Sequence, residues 1–291
     1  VMATPQVNPR RIFDSGYFLR KRQVCVIALL LVLVTIAGRS HAGTDEWVDV
    51  KKVVAVGDLH GDYEQYIAVL QTNGLINKKL KWSGGKVHFV QLGDVTDRGP
   101  DSFKIIKHLM TLEKQALKAG GRVHFLLGNH EAMNITGDLR YVHPGEYSAL
   151  VTKKSAKLNA RYLDLVFAAM LAGQPDLALT EPDLRRKLVD RYPLGYVEHR
   201  QLWEPGKSIA RWVAKHNTVI KLNDTLYVHG GIDPHAPLLP LSDINNTVQG
   251  ELSKAGTHEF VDSESGPLWY RGLANNTEEE ELAALIEMLA F

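Results

Sequence analysis

The sequence predicts an α/β fold, in which parallel strands alternate with helices around a β-sheet. Three times in succession, a short apolar run ends at a glycine that is followed at once by a polar residue, and helical patterns separate these runs. The chain has 291 residues, of which 45% are hydrophobic and 23% are charged. These proportions are typical of an ordinary globular protein with a sizeable core, so we expect one domain over residues 43–291.

The first forty residues differ in character from the rest of the chain. Three basic residues at 20–22 precede an apolar run over 24–37, and Ser40-His41-Ala42 follows with small residues on either side of the histidine. This order is typical of a secretory signal peptide, which we assign to residues 1–42. The apolar run is short for a membrane span, which needs about 20 residues, and an uncleaved N-terminal anchor is the alternative. We expect a periplasmic or secreted protein, without stable membrane association once the signal is cleaved.

Removing this segment changes the charge of the protein. It holds six of the 34 Lys and Arg residues and one of the 33 Asp and Glu residues, which leaves 28 basic and 32 acidic residues and a net charge of −4. A mildly acidic domain gives no electrostatic reason to expect nucleic-acid binding. The one cysteine, Cys25, also lies in this segment. The remaining domain is therefore predicted to have no disulfide, thiolate metal site or cysteine nucleophile.

The first half of the domain predicts strands joined by crossover helices. Apolar residues at helical spacing, such as Tyr66 and Leu70, predict a helix that ends near Asn73-Gly74, and Asp62 is expected to cap its start. Because a helix lies between one strand and the next, we expect a sheet that begins parallel. The predicted strands are 53–56, 87–92 and 123–127, and the second helix is 103–119.

The second half predicts a helical insertion and then a hairpin. Residues 148–214 are mostly helical in pattern and are interrupted by prolines. Two apolar runs, 218–222 and 225–228, flank Asn223-Asp224, which is typical of a tight β-hairpin. The last predicted helices are 241–252 and 277–289.

Polar side chains follow four of the predicted strands, at the carboxyl ends where α/β sheets bind ligands. These side chains are Asp58, His60, Asp94, Asn129 and His229. Oxygen and imidazole donors without sulfur suit Mn²⁺, Fe or Zn²⁺, and they favour Mn²⁺ or Fe over a structural zinc. An aspartate between two metals can bridge them, which gives Asp94 a role. The pattern therefore predicts a pair of divalent metal ions, with Mn²⁺ the best match.

Nearby residues predict phosphate binding and proton transfer. Arg98, four residues after Asp94, can hold phosphate oxygens through two parallel hydrogen bonds, and Arg271 is a second candidate for that role. His130 is a candidate general acid toward a leaving group, and Asp97 is predicted to orient it and support its positive charge.

Four short motifs resemble, in order, those of metal-dependent phosphoprotein phosphatases in the calcineurin-like phosphoesterase superfamily. The motifs are GDLHGD (57–62), GDVTDRG (93–99), GNHE (128–131) and HGG (229–231). The resemblance spans about residues 53–272. Secretion, the long insertion, HPGEY at 143–147 and PLWYRG at 267–272 look most like the bacterial Shewanella-like phosphatases. The resemblance implies a two-sheet β-sandwich core flanked by helices.

The resemblance also implies how the metal ligands divide. One metal would be held by Asp58, His60 and Asp94. The other would be held by Asp94, Asn129, His229 and one further histidine. A hydroxide between the two cations would attack phosphorus in line.

The roles implied for the remaining residues complete that reaction. Arg98 and Arg271 would hold the phosphate, and His130 would protonate the departing oxygen. The expected substrate is a phosphoprotein or phosphopeptide, with phosphotyrosine favoured and phosphoserine or phosphothreonine as alternatives.

One element of the family pattern is missing from the sequence. In the family, the last metal-binding histidine follows the HGG motif at a distance, as Gly-His-Thr on a further strand. The later histidines here are His235 and His258, and neither ends a predicted strand. We therefore expect a C-terminally truncated domain that lacks this strand and has an incomplete second metal site.

Two rival functions follow from these observations. A dinucleoside polyphosphate hydrolase uses the same motifs on the same fold. A catalytically silent metal-binding fragment is the other rival, because the last histidine is missing.

Overall fold

The computed structural model describes residues 44–173, 181–234 and 239–275, together with the single positions 282 and 286. The predicted signal peptide and most of the helix predicted at 277–289 lie outside these residues. Among the helices described, none combines the length and the apolar character that crossing a membrane requires.

Short strands and helices alternate along the described residues. The strands are β1 (Glu46–Trp47), β2 (Val53–Val56), β3 (His88–Gln91), β4 (Arg122–Phe125), β5 (Val219–Leu222) and β6 (Thr225–Val228). The helices are α1 (Tyr63–Thr72), α2 (Ser102–Lys118), α3 (Asn129–Thr136), α4 (Pro144–Ala149), α5 (Ser155–Gly173), α6 (Glu181–Arg191), α7 (Tyr196–Trp203), α8 (Ser208–Val213), α9 (Leu241–Leu252) and α10 (Gly272–Asn275).

The first sheet consists of β2, β3 and β4 in that order, and all three strands are parallel. This confirms the parallel start predicted from the alternation of strands and helices. The crossover helix α2 buries an apolar stripe that includes Ile105, Leu109 and Leu112 against the sheet. At the start of α1, the Asp62 carboxylate accepts a hydrogen bond of 3.0 Å from the Gln65 amide, as expected for a capping residue.

The second sheet has the order β1-β5-β6. Strands β5 and β6 are antiparallel, with Leu222 opposite Thr225, so the predicted hairpin turns at Asn223 and Asp224. Asn223 has a φ of 54°, a conformation that asparagine tolerates in tight turns. Its side chain also accepts from the Val50 amide at 3.0 Å and donates to the Val50 carbonyl at 2.9 Å. The turn therefore also fixes the chain that follows β1.

The two sheets face each other across a small apolar layer, which confirms the expected two-sheet core. Val90 from the first sheet packs with Ile220 and Leu222 of β5, and Leu126 completes the buried set. A larger core on the other face of the first sheet holds the buried side chains of α1 and α2. The first sheet is therefore covered on both faces, which holds the ends of its strands in place.

Within 148–214, the described residues form α5 to α8. Helix α7 packs against α4, α5 and α8. Trp203, Ile209 and Val213 are buried in the same core as α2, so the end of this region returns to the first sheet. The contact between α4 and α7 brings part of this region close to the strand ends.

Helix α9 is joined to β5 by one buried side chain, and this contact generates a prediction. The Asn245 carbonyl accepts hydrogen bonds from the Thr218 and Val219 amides at 2.8 and 3.0 Å, and its amide donates to the Val219 carbonyl at 2.9 Å. Asn245→Ala should lower the free energy of unfolding by about 2–3 kcal/mol, because buried backbone groups lose their partners. Urea denaturation measures this loss.

The neighbouring Asn246 supplies the control, because it has the same side chain on the same helix but is exposed. Asn246→Ala should change the free energy of unfolding by less than about 0.5 kcal/mol. Equal losses in the two variants would contradict the role given to Asn245.

Candidate active site

The ends of four strands bring the predicted metal ligands together. Asp58 follows β2, Asp94 follows β3, Asn129 follows β4 and His229 follows β6. The Nε2 atom of His229 lies 2.8 Å from Asn129 Oδ1 and 3.5 Å from Asp94 Oδ2. Its Nδ1 atom lies 3.9 Å from Asp58 Oδ1. Residues from both sheets therefore meet at one point.

Two glycines allow this close approach. Gly93 has a φ of 94°, and a Cβ there would lie 2.5 Å from the Gly128 amide nitrogen. A Cβ on Gly128 would in turn collide with the Asp94 side chain. The ends of β3 and β4 can therefore approach each other only where both residues lack a side chain.

Asp94 belongs to two groups of ligand atoms. One group contains Asp58, Asp94 and His229, and the other contains His60, Asp94 and His130. Within each group, the ligand atoms lie within 4.8 Å of one another. Asp94 is only 3% exposed, and its Oδ2 atom lies 3.8 Å from the Nε2 atoms of both His60 and His130. This shared position is the one that a bridging carboxylate needs.

Backbone carbonyls fix the proton positions of two of these histidines. His60 Nδ1 donates to the Thr96 carbonyl at 2.9 Å, and His229 Nδ1 donates to the Leu92 carbonyl at 2.9 Å. Because a carbonyl only accepts, Nδ1 carries a proton in each ring, and Nε2 faces the oxygen atoms of the site: Asp58 and Asp94 for His60, Asn129 and Asp94 for His229. The Nε2 atom of His60 is buried and has no hydrogen-bond partner in the described structure. A buried ring nitrogen without a hydrogen-bond partner fits a metal ligand.

The pKa directions of Asp94 and His229 are those of buried groups. The pKa of His60 is raised instead, because the lowering effect of burial is outweighed by its contacts with Asp58 and neighbouring acceptors together. Burial raises the pKa of Asp94, because its charged form has lost water, although the His130 amide opposes the effect with a 3.0 Å hydrogen bond. Burial lowers the pKa of His229, which keeps its ring neutral and able to bind a metal. The contact with His60 lowers the pKa of Asp58. A nearby cation would favour the ionised form of each carboxylate.

The candidate acid, His130, belongs to the second group, although the family resemblance gives it no metal, and the phosphate clamp Arg98 lies beside it. His130 Nδ1 lies 2.7 Å from Asp97 Oδ2, and the Asn134 amide donates to the other Asp97 oxygen at 2.9 Å. On the opposite side of the ring, Nε2 lies 3.2 Å from Arg98 Nη2. Because Asp97 accepts from Nδ1 and a guanidinium only donates, Nε2 accepts from Arg98 here and is the ring nitrogen that can take up and pass on a proton.

Arg271 lies on the other side of the site. Its Nη2 atom is 3.3 Å from His229 Nε2, while Nη1 donates to the Leu268 and Tyr270 carbonyls at 3.2 and 3.1 Å. The two arginines therefore border different ligand groups, with Asp94 between them. A phosphate over Asp94 would have a guanidinium on each side.

Of the two later histidines, the structure describes only His258. His235 lies outside the described residues. His258 lies between α9 and α10, and neither group of close ligand atoms among the described residues includes it. A further histidine for the second metal thus stays a prediction of the family resemblance.

Glu131 has a role that sequence reasoning missed. Its carboxylate is fully buried and accepts from the amides of Asp94 at 2.8 Å, Val95 at 2.9 Å and Thr96 at 3.2 Å, and also from Gly128 at 2.9 Å. An acidic residue in the first turn of a helix predicts only the contact with Gly128. The other contacts stabilise the turn that carries Asp94.

A comparison with known protein families agrees with this geometry. The model of the calcineurin-like phosphoesterase family matches residues 51–272, which include all the predicted ligands and both arginines. This chain belongs to the calcineurin-like phosphoesterase family.

Individual relatives of this phosphoesterase are named as phosphatases. Shewanella-like protein phosphatase 2 of Arabidopsis thaliana is 32% identical over 215 residues, which cover 70% of this chain and 52% of that protein. The crystal structure of a cold-active protein-tyrosine phosphatase from a psychrophilic Shewanella species is 30% identical, with a TM-score of 0.62. It covers 85% of this chain and 65% of the other.

A third relative has a different named activity. An asymmetrical bis(5'-nucleosyl)-tetraphosphatase of Oceanobacillus iheyensis is 27% identical over 223 residues, which cover 68% of this chain and 82% of that protein. The phosphoesterase chain thus spans half to two thirds of the two phosphatase relatives and most of this tetraphosphatase.

The position of His130 generates a prediction about leaving groups. If His130 protonates the departing oxygen, His130→Ala should lower kcat for an alkyl phosphate by about 100- to 10,000-fold. The loss should be smaller for p-nitrophenyl phosphate, because its leaving group needs little help from an acid. Steady-state kinetics on both substrates test this, and equal losses would count against the acid role.

Proposed function

We propose that this protein is a metal-dependent phosphomonoesterase that acts on phosphoproteins, with phosphotyrosine as the favoured substrate. The observation that carries the proposal is the position of Asp94, which lies in both groups of close ligand atoms, with His130 in one of them and Arg98 beside it. The proposed holders of the metals are Asp58, His60, Asp94, Asn129 and His229, with Mn²⁺ as the preferred ion and Fe or Zn²⁺ as alternatives. When bound, such cations would lower the pKa of water and neutralise phosphate charge.

The chain's own residues would bind the phosphate and move the proton. Arg98 and Arg271 each have guanidinium nitrogens facing the site, and each can hold phosphate oxygens. A phosphate bound by Arg98 would bring its leaving oxygen toward His130 Nε2, which lies 3.2 Å from that guanidinium. His130 would then donate a proton from Nε2 to the departing oxygen, while Asp97 stabilises the ring from Nδ1.

Two observations support phosphotyrosine as the favoured substrate. The Shewanella structure reported above is named a protein-tyrosine phosphatase. The ring of Tyr141 is 45% exposed and lies 5.1 Å from the His130 ring, with Arg98 at 5.8 Å. An exposed aromatic ring beside the acid could pack against the phenyl ring of a phosphotyrosine.

Two alternatives compete with this proposal. The similarity to a bis(5'-nucleosyl)-tetraphosphatase favours dinucleoside polyphosphate cleavage as a second candidate. Cleavage of diadenosine tetraphosphate without cleavage of phosphopeptides would establish it in place of the proposal. A metal-binding but silent protein would bind Mn²⁺ and hydrolyse neither substrate.

We also propose export to the periplasm or the exterior. Support comes from the basic residues at 20–22, the apolar run at 24–37 and the small residues around His41. Cell fractionation with N-terminal sequencing tests it, since a mature protein that begins at residue 43 is expected.

The metal requirement gives the main test of the proposed function. Asp94→Asn should reduce Mn²⁺-dependent hydrolysis of a phosphotyrosine peptide to background, because the shared carboxylate loses charge and one ligand oxygen. Bound metal, measured by atomic emission, should fall in parallel. Removing metal with a chelator should also abolish turnover in the wild-type protein, and added Mn²⁺ should restore it.

Asp62 provides a matched control from the same motif as Asp58. It is exposed and caps α1, and asparagine caps helices as well as aspartate does. Asp62→Asn should therefore retain both activity and metal. Turnover and metal content that survive Asp94→Asn would refute the two-metal assignment.

The phosphotyrosine preference is tested at Tyr141. Tyr141→Leu should lower kcat/KM for a phosphotyrosine peptide by about 2- to 10-fold, because an aromatic contact is lost. For a matched phosphoserine peptide, kcat/KM should stay within about 2-fold of wild type. Tyr141→Phe keeps the ring and should behave as wild type on both peptides. If Tyr141→Leu lowers kcat/KM equally for the two peptides, the proposed contact of the ring with phosphotyrosine is contradicted.

A further inference from the structure

Two residues next to the candidate acid adopt an unusual backbone conformation. Asp97 has a φ of 68° and Arg98 has a φ of 62°, so two successive residues with side chains lie in the left-handed region. This region is less stable for a residue with a side chain, because the Cβ atom comes too close to the following carbonyl oxygen. The conformation therefore needs support from other parts of the chain.

That support comes from one short segment, residues 141–146, which accepts hydrogen bonds from the backbone amides of both Asp97 and Arg98. The Arg98 amide donates to the Tyr141 carbonyl at 2.9 Å. The Asp97 amide donates to Glu146 Oε1 at 3.2 Å, and the Ser102 hydroxyl donates to the same oxygen at 2.7 Å. Glu146 is only 4% exposed, so solvent does not compete for these hydrogen bonds.

The HPGEY sequence explains why Glu146 points at this turn. His143 caps α4 by accepting from the Gly145 amide at 3.0 Å, and Pro144 occupies the first turn of the helix. These residues fix the start of a short helix from which Glu146 reaches the Asp97 amide. The motif thus has a structural role next to the active site.

We infer that Glu146 is a positioning residue for the phosphatase reaction, acting through Asp97. Its carboxyl group holds the Asp97 amide, the Asp97 side chain holds His130 Nδ1, and Arg98 follows in the same turn. A single contact from α4 therefore aligns the proton donor and one phosphate clamp together. This inference rests on the proposed function.

The surroundings of Glu146 determine the charge state in which it makes this contact. Its second oxygen lies 4.0 Å from Nε2 of the buried His199. Burial raises the pKa of Glu146 to about 8 and lowers the pKa of His199 to about 3, so both groups are neutral near pH 7. A neutral glutamic acid that accepts two hydrogen bonds on one oxygen resembles glutamine in shape and bonding. Glutamine should therefore replace Glu146 without loss of function.

Three variants and two phosphate esters test the inference. Glu146→Asp withdraws the oxygen from the Asp97 amide but keeps a carboxyl group, and Glu146→Ala removes the oxygen. Each should lower kcat about 10- to 100-fold for an alkyl phosphate and several-fold less for p-nitrophenyl phosphate, because the misplaced acid matters most for poor leaving groups. Glu146→Gln should stay within about 3-fold of wild type on both esters.

Ser102→Ala is the matched control. It removes the other hydrogen bond to the same Glu146 oxygen but leaves the Asp97 contact, so its kinetics should resemble wild type. Equal losses on both esters in Glu146→Asp, or a Glu146→Gln variant as slow as Glu146→Ala, would overturn the inference. Wild-type kinetics in Glu146→Ala would overturn it as well.

Amide hydrogen exchange separates this inference from the proposed function. Exchange at Asp97 should be at least about 10-fold faster in Glu146→Asp than in wild type, whether or not the protein turns over substrate. Unchanged exchange would contradict the contact itself. Wild-type protein that hydrolyses neither ester would instead refute the proposed function, and with it the positioning role, even where exchange agrees with the contact.

Discussion

The rest of the site depends on a single carboxylate, that of Asp94, facing two groups of ligands. To face Asp58 and His229 on one side and His60 and His130 on the other, it must lie buried where β3 ends. Strand β3 therefore stops abruptly, and Asp94 itself adopts a φ of 52°. The abrupt stop and the close packing against the end of β4 are consequences of this one requirement.

Strained backbone in the site is matched by hydrogen bonds from distant residues. Four of the seven non-glycine residues with positive φ in the described chain lie here: His60, Asp94, Asp97 and Arg98. The His60 amide donates to the Asp94 carbonyl at 3.0 Å, and the Asp94 amide donates to Glu131. Glu146 accepts a hydrogen bond from the Asp97 amide, and the Tyr141 carbonyl accepts one from the Arg98 amide. Strain of this kind persists only where the surroundings fix it, and these hydrogen bonds hold the backbone that carries the candidate ligands.

The sequence predicted the parts of the site that follow strands, because strand ends are readable from short apolar runs. Asp58, Asp94 and His229 lie where that pattern put them. Strand β1 escaped prediction, since two residues carry no periodicity. The contact of Glu146 with Asp97 spans 49 positions and depends on how α4 packs, which no local pattern encodes. The sequence thus predicts the candidate metal ligands more readily than the residues that hold those ligands in place.

Charge explains why metal binding and phosphate binding belong to the same site. A phosphate dianion over Asp94 would approach two carboxylates, those of Asp58 and Asp94, and would be repelled by both. Arg98 and Arg271 flank the site but leave that repulsion at its centre. Cations held by these carboxylates would reverse the sign of the field that a bound phosphate meets. Burial raises the pKa of Asp94, and a cation held beside this carboxylate would restore its ionised form and offset its repulsion of the phosphate.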